Sequence, residues 1–186
     1  MELEASRLLP VDRETAWRAL NDPEILKVAI PGCETMEKTG ENEYAIAMTA
    51  AVGPVKAKFR AKLTLSDVVE PESYTLIFDG QGGAAGFGKG SAEVALAPEG
   101  DQTRLSYRVK AQVGGKIAQV GSRLVDAASK KLADDFFAAF STELARRFAP
   151  ETLAAARPPP VRRAVHIAVT VAVILVVAII LWLWRS

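Results

Sequence analysis

GQGGAAGFGKGSA, residues 80–92, is the stretch on which the fold turns. Gly80, Gly82 and Ala85 fit the G-x-G-x-x-G/A spacing of a dinucleotide fingerprint. Gly83, Gly88 and Lys89 fit a phosphate loop up to its last position, where Gly90 stands and the Ser91 hydroxyl comes one residue late. Either motif holds a phosphate only between a strand and a helix, because the helix N-terminus supplies the donors and the dipole. Here SYTLIFDG (73–80) precedes the glycines, with Tyr74, Leu76 and Phe78 on one face, and SAEVALA (91–97) follows them. The stretch leaves one strand and enters another. That context predicts a hairpin whose glycines allow a sharp bend or a close approach of backbone, not a nucleotide site.

Working outward, VKAKFRAKLTL (55–65) alternates strictly: Val55, Ala57, Phe59, Ala61, Leu63 and Leu65 face one way, and Lys56, Lys58, Arg60 and Lys62 the other. Period two over this length marks a half-buried antiparallel strand. YAIAMTAAV (44–52) alternates loosely. TRLSYRVKAQV (103–113) points Leu105, Tyr107, Val109, Ala111 and Val113 inward, and residues 2–9 read as a short strand ending at Pro10. Asp12 is placed to cap a first helix carrying Trp17 and Leu20. Asp22 with Pro23 starts a second helix, which Pro31-Gly32 stops. From Lys116 the period changes: Ile117, Val120, Leu124, Ala128, Leu132, Phe136, Phe140, Leu144 and Phe148 recur at three or four residues, predicting one amphipathic helix over 116–148. The expected order is strand, two short helices, six strands, long helix: an α+β domain over 1–148, with a curved antiparallel sheet of about seven strands around the long C-terminal helix.

After this domain comes a Pro- and Arg-rich linker, 149–163, in which Pro158, Pro159 and Pro160 favour a semi-rigid spacer with a reach of up to about 50 Å. Residues 164–184, AVHIAVTVAVILVVAIILWLW, contain no charge and as a helix would span roughly 31 Å, enough for a hydrocarbon core. Trp182 and Trp184 suit an interfacial belt. Arg157, Arg162 and Arg163 before the span, against Arg185 after it, place the domain on the cytoplasmic side of the membrane as a single-pass protein with a C-terminal anchor. The N-terminus has no apolar core of a signal peptide. Without residues 164–186, basic and acidic residues balance at 22 each, which argues against nucleic-acid binding. The single cysteine, Cys33, excludes an intramolecular disulfide and suits a reducing compartment.

The sole histidine, His166, falls in the apolar span. Histidine-dependent triads and histidine metal sites are therefore excluded from the domain. Asp134 and Asp135 are adjacent and diverge by about 100° on a helix. No catalytic constellation is visible; Tyr44, Tyr74 and Tyr107 are the remaining candidates for acid–base work, and the expectation is a non-enzyme without a metal. Binding has better candidates. Phe136, Phe137 and Phe140 stand opposite Phe59, Phe78 and Tyr107, either as ordinary core or as the lining of a hollow that Ala57, Ala61, Gly90, Ala92 and Ala111 leave unfilled. A hollow would be lined by Phe59, Leu63, Leu76, Phe78, Phe87, Tyr107, Val109, Leu132, Phe136 and Phe140. The row Lys56, Lys58, Arg60, Lys62 reads first as a solvated strand face that blocks aggregation, and second as a contact for anionic lipid or an acidic partner. Gly86, Phe87 and Gly88 at the turn offer a second contact surface, with Phe87 expected to be exposed as a lid or a partner contact.

WRALNDPEILKVAIPGCE (17–34), GPVKAKFRAKL (53–63), GQGGAAGFGKGSA (80–92) and VGGKIAQVGSRLVD (113–126) together resemble the G-subunit family of carbon monoxide dehydrogenase over about residues 1–148. The resemblance implies a helix-grip fold, as in START-type lipid carriers and Bet v 1-like proteins. It also implies a non-catalytic accessory that recruits a molybdenum hydroxylase of the carbon monoxide dehydrogenase type to the membrane. The apolar cavity would bind a quinone, with no covalently bound cofactor. IPGCE (30–34) and GGAAGFGKG (82–90) match as motifs, without a role for each residue. A lipid or small hydrophobic-molecule carrier lacking an enzyme partner is the alternative.

Overall fold

A computed structural model describes residues 1–148. The chain runs β1 (Glu2–Leu9), α1 (Arg13–Leu20), α2 (Pro23–Ala29), β2 (Cys33–Lys38), β3 (Glu43–Val52), β4 (Val55–Val69), β5 (Ser73–Gln81), β6 (Phe87–Glu99), β7 (Gln102–Gly114), α3 (Lys116–Gln119) and α4 (Ser122–Phe148). The expected linker 149–163 and apolar span 164–184 lie outside the described residues. Among those described, no helix is long and apolar enough to cross a membrane.

Seven strands form one antiparallel sheet in the order β1-β7-β6-β5-β4-β3-β2. Hairpins build β2 through β7, and α1 and α2 carry the chain from the β1 edge to the β2 edge. The caps are the expected ones: the Thr15 N–H donates to the Asp12 carboxylate at 2.9 Å and the Glu24 N–H to that of Asp22 at 2.8 Å, with Pro23 in the first turn of α2. A strand at Cys33–Lys38 completes the set of six after α2, although its sequence, CETMEK, buries only Met36 and carries no clear alternation.

Three elements differ from expectation. β4 runs on to Val69 instead of ending at 65, and β6 spans 87–99 instead of 91–97, beginning at Phe87 on leaving the glycine turn. The single helix expected over 116–148 is broken at Gly121, whose φ of 97° no helix accommodates. The Leu124 and Val125 N–H groups donate to the Gly121 carbonyl and start α4 afresh. Apolar spacing continues across the break through Ile117, Val120 and Leu124, so periodicity alone reads one helix where there are two.

The core lies between the sheet and the C-terminal half of α4. Phe140 and Leu144 are 0% exposed and pack with Leu9, Trp17, Ile25, Leu96 and Leu105. Trp17 meets Tyr74 edge-on at 5.5 Å, and Phe137 stacks on Tyr107 at 5.2 Å. Burial of these side chains, each worth roughly 1.5–3 kcal/mol, is what holds α4 to the sheet. At the β1 edge Arg7 adds an ion pair to Asp134 and a face-on contact with the Phe137 ring.

Near its C-terminus α4 buries Glu143, which accepts hydrogen bonds from Arg146 and Arg147. Those guanidinium donors pull its carboxyl from 4.5 down to about 2. A depressed carboxylate stabilises the fold fully above its unfolded value and loses that contribution as pH falls through the folded one. The melting temperature is therefore expected to fall between pH 4.5 and 2. Glu143→Gln should flatten that part of the profile, as calorimetry at a series of pH values would show.

Candidate functional site

One end of the domain is filled and the other is not. Along β7 the inward residues Thr103, Leu105 and Tyr107 are buried, whereas Val109, Ala111 and Val113 are half-buried. β6 repeats the pattern, from buried Leu96, Val94 and Ala92 to half-buried Gly90 and Gly88. So does β3, from Tyr44 and Ile46 to Met48 and Val52, whereas β5 goes from buried Tyr74 through half-buried Leu76 and Phe78 back to buried Gly80. On β4 the whole inward row from Val55 to Leu65 is half-buried. The helix matches the sheet: Leu124 is 46% and Leu132 38% exposed where Phe140 and Leu144 are sealed. Inward apolar side chains that keep contact with water show that α4 does not fill the space at the glycine-rich end.

Clefts open on both sides of the first turns of α4. One, of about 490 Å³, runs between β3 and α4 and is lined by Ala50, Val52, Leu124 and Leu132 together with the polar Ser129 and the Lys131–Asp135 ion pair. The other, of about 330 Å³, lies between Ala111 and Val113 on β7 and Ala118 and Val125 beyond it. Between them, Ala85 of the glycine turn, Ile117 and Val125 are buried and close the end over β6 and β7.

The candidate lining residues separate along this gradient. Phe140 and Tyr107 belong to the sealed core. Leu76, Val109 and Phe136 border that core, and Leu63 borders the smaller cluster of Met36, Tyr44 and Ile46. Phe59, Phe78 and Leu132 belong to neither cluster; the Phe59 ring lies over the Cα of Gly82. Phe87 is a correction. It pairs with Gly114 across β6–β7 and is half-buried with its ring over that glycine, on the face that carries Lys89. The turn sets the register of β6 so that Gly88, Gly90 and Ala92 point inward, which sends Phe87 to the outer face; it is neither cavity lining nor an exposed lid. Val52, Val113 and Leu124 line the clefts at the open end, and their alternation and helical spacing mark them in the sequence.

The glycine turn is not a phosphate cradle. A single 3-10 turn at Gly83–Ala85 joins the two strands. Three of its amides are already used: Gly82 N–H donates to Gly86 O, Ala85 N–H to Gly82 O and Gly86 N–H to Gly83 O. In the basic row, Lys58 pairs with Glu34 at 2.8 Å and Lys62 with Glu43 at 2.7 Å, while Lys56 and Arg60 have no carboxylate partner among the described residues. Burial pushes the hydroxyls of Tyr44, Tyr74 and Tyr107 above the ordinary tyrosine range, leaving none poised to exchange a proton near neutrality. Burial likewise raises the half-buried Cys33 thiol, so its reactive thiolate is disfavoured.

A seven-stranded antiparallel sheet gripping one long helix over an incompletely filled inner face defines a helix-grip α+β domain. Solved structures agree. A conserved protein from Geobacillus kaustophilus is 33% identical, with a TM-score of 0.74 over 78% of this chain and 96% of that one. A START superfamily protein from Mycobacterium smegmatis, 12% identical, has a TM-score of 0.61 over 78% of this chain and 97% of that one. An aromatase/cyclase from a Streptomyces species, 15% identical, has a TM-score of 0.56 over 79% and 94%. The last two share the fold alone. No curated protein matches the sequence. The pattern of CoxG, the G-subunit family of carbon monoxide dehydrogenase, matches residues 9–145, and the chain belongs to that family.

Proposed function

We propose that the protein is a non-catalytic accessory subunit that recruits a molybdenum hydroxylase of the carbon monoxide dehydrogenase type to the cytoplasmic membrane and holds a quinone or similar lipid between sheet and helix. The observation that carries the ligand reading is the shared burial gradient on β3, β6 and β7, ending in half-open apolar residues beside Leu124 and Leu132. Such a surface takes an apolar ligand through hydrophobic burial, with no demand for charge inside. Membership of the CoxG family supports the enzyme partner. The uncharged stretch 164–184 supports a single-pass C-terminal anchor. Tethering would turn electron transfer between enzyme and membrane carrier from a diffusive encounter into a local one.

Native mass spectrometry tests this on residues 1–157, which include every residue of the core clusters, after mixing with membrane lipid extract. A stoichiometric adduct with the mass of a quinone is expected. A clean apo mass, under conditions that preserve lipid adducts, would refute the ligand and leave a docking scaffold. A ligand adduct with no oxidoreductase captured by the full chain would instead identify a carrier without an enzyme partner.

A further inference from the structure

The open end of the domain is positively charged and the sealed end is negatively charged. Three segments meet at the open end: the β3–β4 turn with the start of β4 (52–60), the glycine turn (81–90), and the end of β7 with α3 and the start of α4 (110–125). Together they contain seven basic residues and no acid. The four acids that border them, Glu2 opposite Lys110, Glu34 paired with Lys58, Asp79 opposite Lys89 and Asp126 on α4, leave the basic residues in excess. Lys56, Arg60, Lys89, Lys110, Lys116 and Arg123 have no carboxylate partner among the described residues. The opposite turns, 38–43, 67–73 and 99–102, carry seven acids and one lysine. A chain close to neutral overall thus carries its excess of basic residues at one end of the strands and its excess of acids at the other.

The tip of the positive end is apolar. Val52-Gly53-Pro54-Val55 contains no polar side chain, and Gly53 sits against Leu124, itself 46% exposed. An apolar tip collared by lysine and arginine suits the boundary of an anionic bilayer, where the apolar residues enter the acyl region and the cations stay among the headgroups. A purely polar acidic surface would complement the charge but would leave the exposed leucine and the uncharged tip without apolar contact, whereas a bilayer supplies both in one partner. We infer that the β3–β4 tip and the N-terminal turn of α4 form a docking surface for an anionic lipid bilayer, which would bring the cleft between β3 and α4 to the membrane. This rests on the membrane placement proposed above and does not require the ligand.

The full chain, with Cys33→Ser, is labelled with a fluorophore at Pro54→Cys or, as control, at Gly100→Cys in the acidic β6–β7 turn. It is reconstituted into phosphatidylcholine vesicles with or without phosphatidylglycerol, carrying brominated acyl chains as quencher. Quenching is expected at position 54 and not at 100, in anionic vesicles only. It should fade as salt rises from 0.1 to 1 M, where the screening length shrinks from about 10 to about 3 Å. Lys56→Glu and Arg123→Glu should each lower the docking equilibrium roughly fivefold or more while leaving the melting temperature in place. Equal quenching at both positions, or quenching at 54 that ignores lipid charge and salt, overturns the surface. So does contact that appears only after an acidic polypeptide is added, which would assign it to a protein partner. Failure of the chain to float with any vesicle refutes the membrane placement itself, a result separable from an unquenched but membrane-bound chain.

Discussion

Gly86→Ala is expected to destabilise the domain by roughly 3–5 kcal/mol and lower its melting temperature by about 10 °C or more. Gly86 has φ 117° and ψ −153°, a region essentially closed to any residue with a side chain. A methyl group there would also stand 1.9 Å from the Gly114 carbonyl oxygen, which is backbone and cannot swing aside. Across the contact the same holds in reverse, since a Cβ on Gly115 would meet the Gly86 Cα at 2.4 Å. The glycine turn and the β7–α3 junction are therefore joined backbone to backbone, and that junction places α3 and the start of α4. Gly88→Ala is the control. Its Cβ would meet nothing closer than Val113 at 3.8 Å, so its stability should change by less than about 1 kcal/mol. Paired thermal melts decide the matter. If the two variants melt alike, the glycines are not there for packing, and a phosphate site at residues 80–92 becomes open again.

The sheet is legible in the sequence because its inner face is covered and its outer face is wet, and that asymmetry writes itself as alternation. VKAKFRAKLTL admits hardly any other reading, and both helix starts are marked by an aspartate with a hydrogen-bonding reach of two or three residues. β2 is harder, since an edge strand that buries only Met36 has little alternation to show. The split at Gly121 is invisible because glycine at positive φ leaves the apolar spacing around it intact. For the site, periodicity gives the face of each residue but not its depth. Phe140 and Leu132 occupy the same stripe of α4, yet one is sealed and the other 38% exposed. That difference depends on how far the helix stands from the sheet, a long-range property that no local pattern encodes. Phe87 fails for another reason: its face is set by the number of residues in the turn before it, and a one-residue change in register sends a side chain to the other side.

Depth is what separates core from ligand site, and two substitutions expose it. Phe140→Ala should cost about 3–5 kcal/mol, because Phe140 is 0% exposed and stacks on Phe136 at 5.5 Å, so truncation leaves a cavity that the surrounding strands and helices cannot collapse. Ala57→Phe should do the opposite kind of damage. Ala57 faces inward on β4 opposite Ala50 and remains half-buried, at the end where the inner face still meets water. A phenyl ring there has space to occupy, so the melting temperature should hold or rise while the lipid adduct seen by native mass spectrometry is lost. The converse outcome is equally informative. In a close-packed interior the added ring would force strain of about 1–3 kcal/mol, and a melting temperature lowered to match would mean that sheet and helix meet in solution along their whole length. The half-open residues would then be surface, not cavity, and the protein would act as a scaffold whose function lies on its charged end. Stability that survives together with binding that does not would place the ligand against β4, at the positive mouth of the grip.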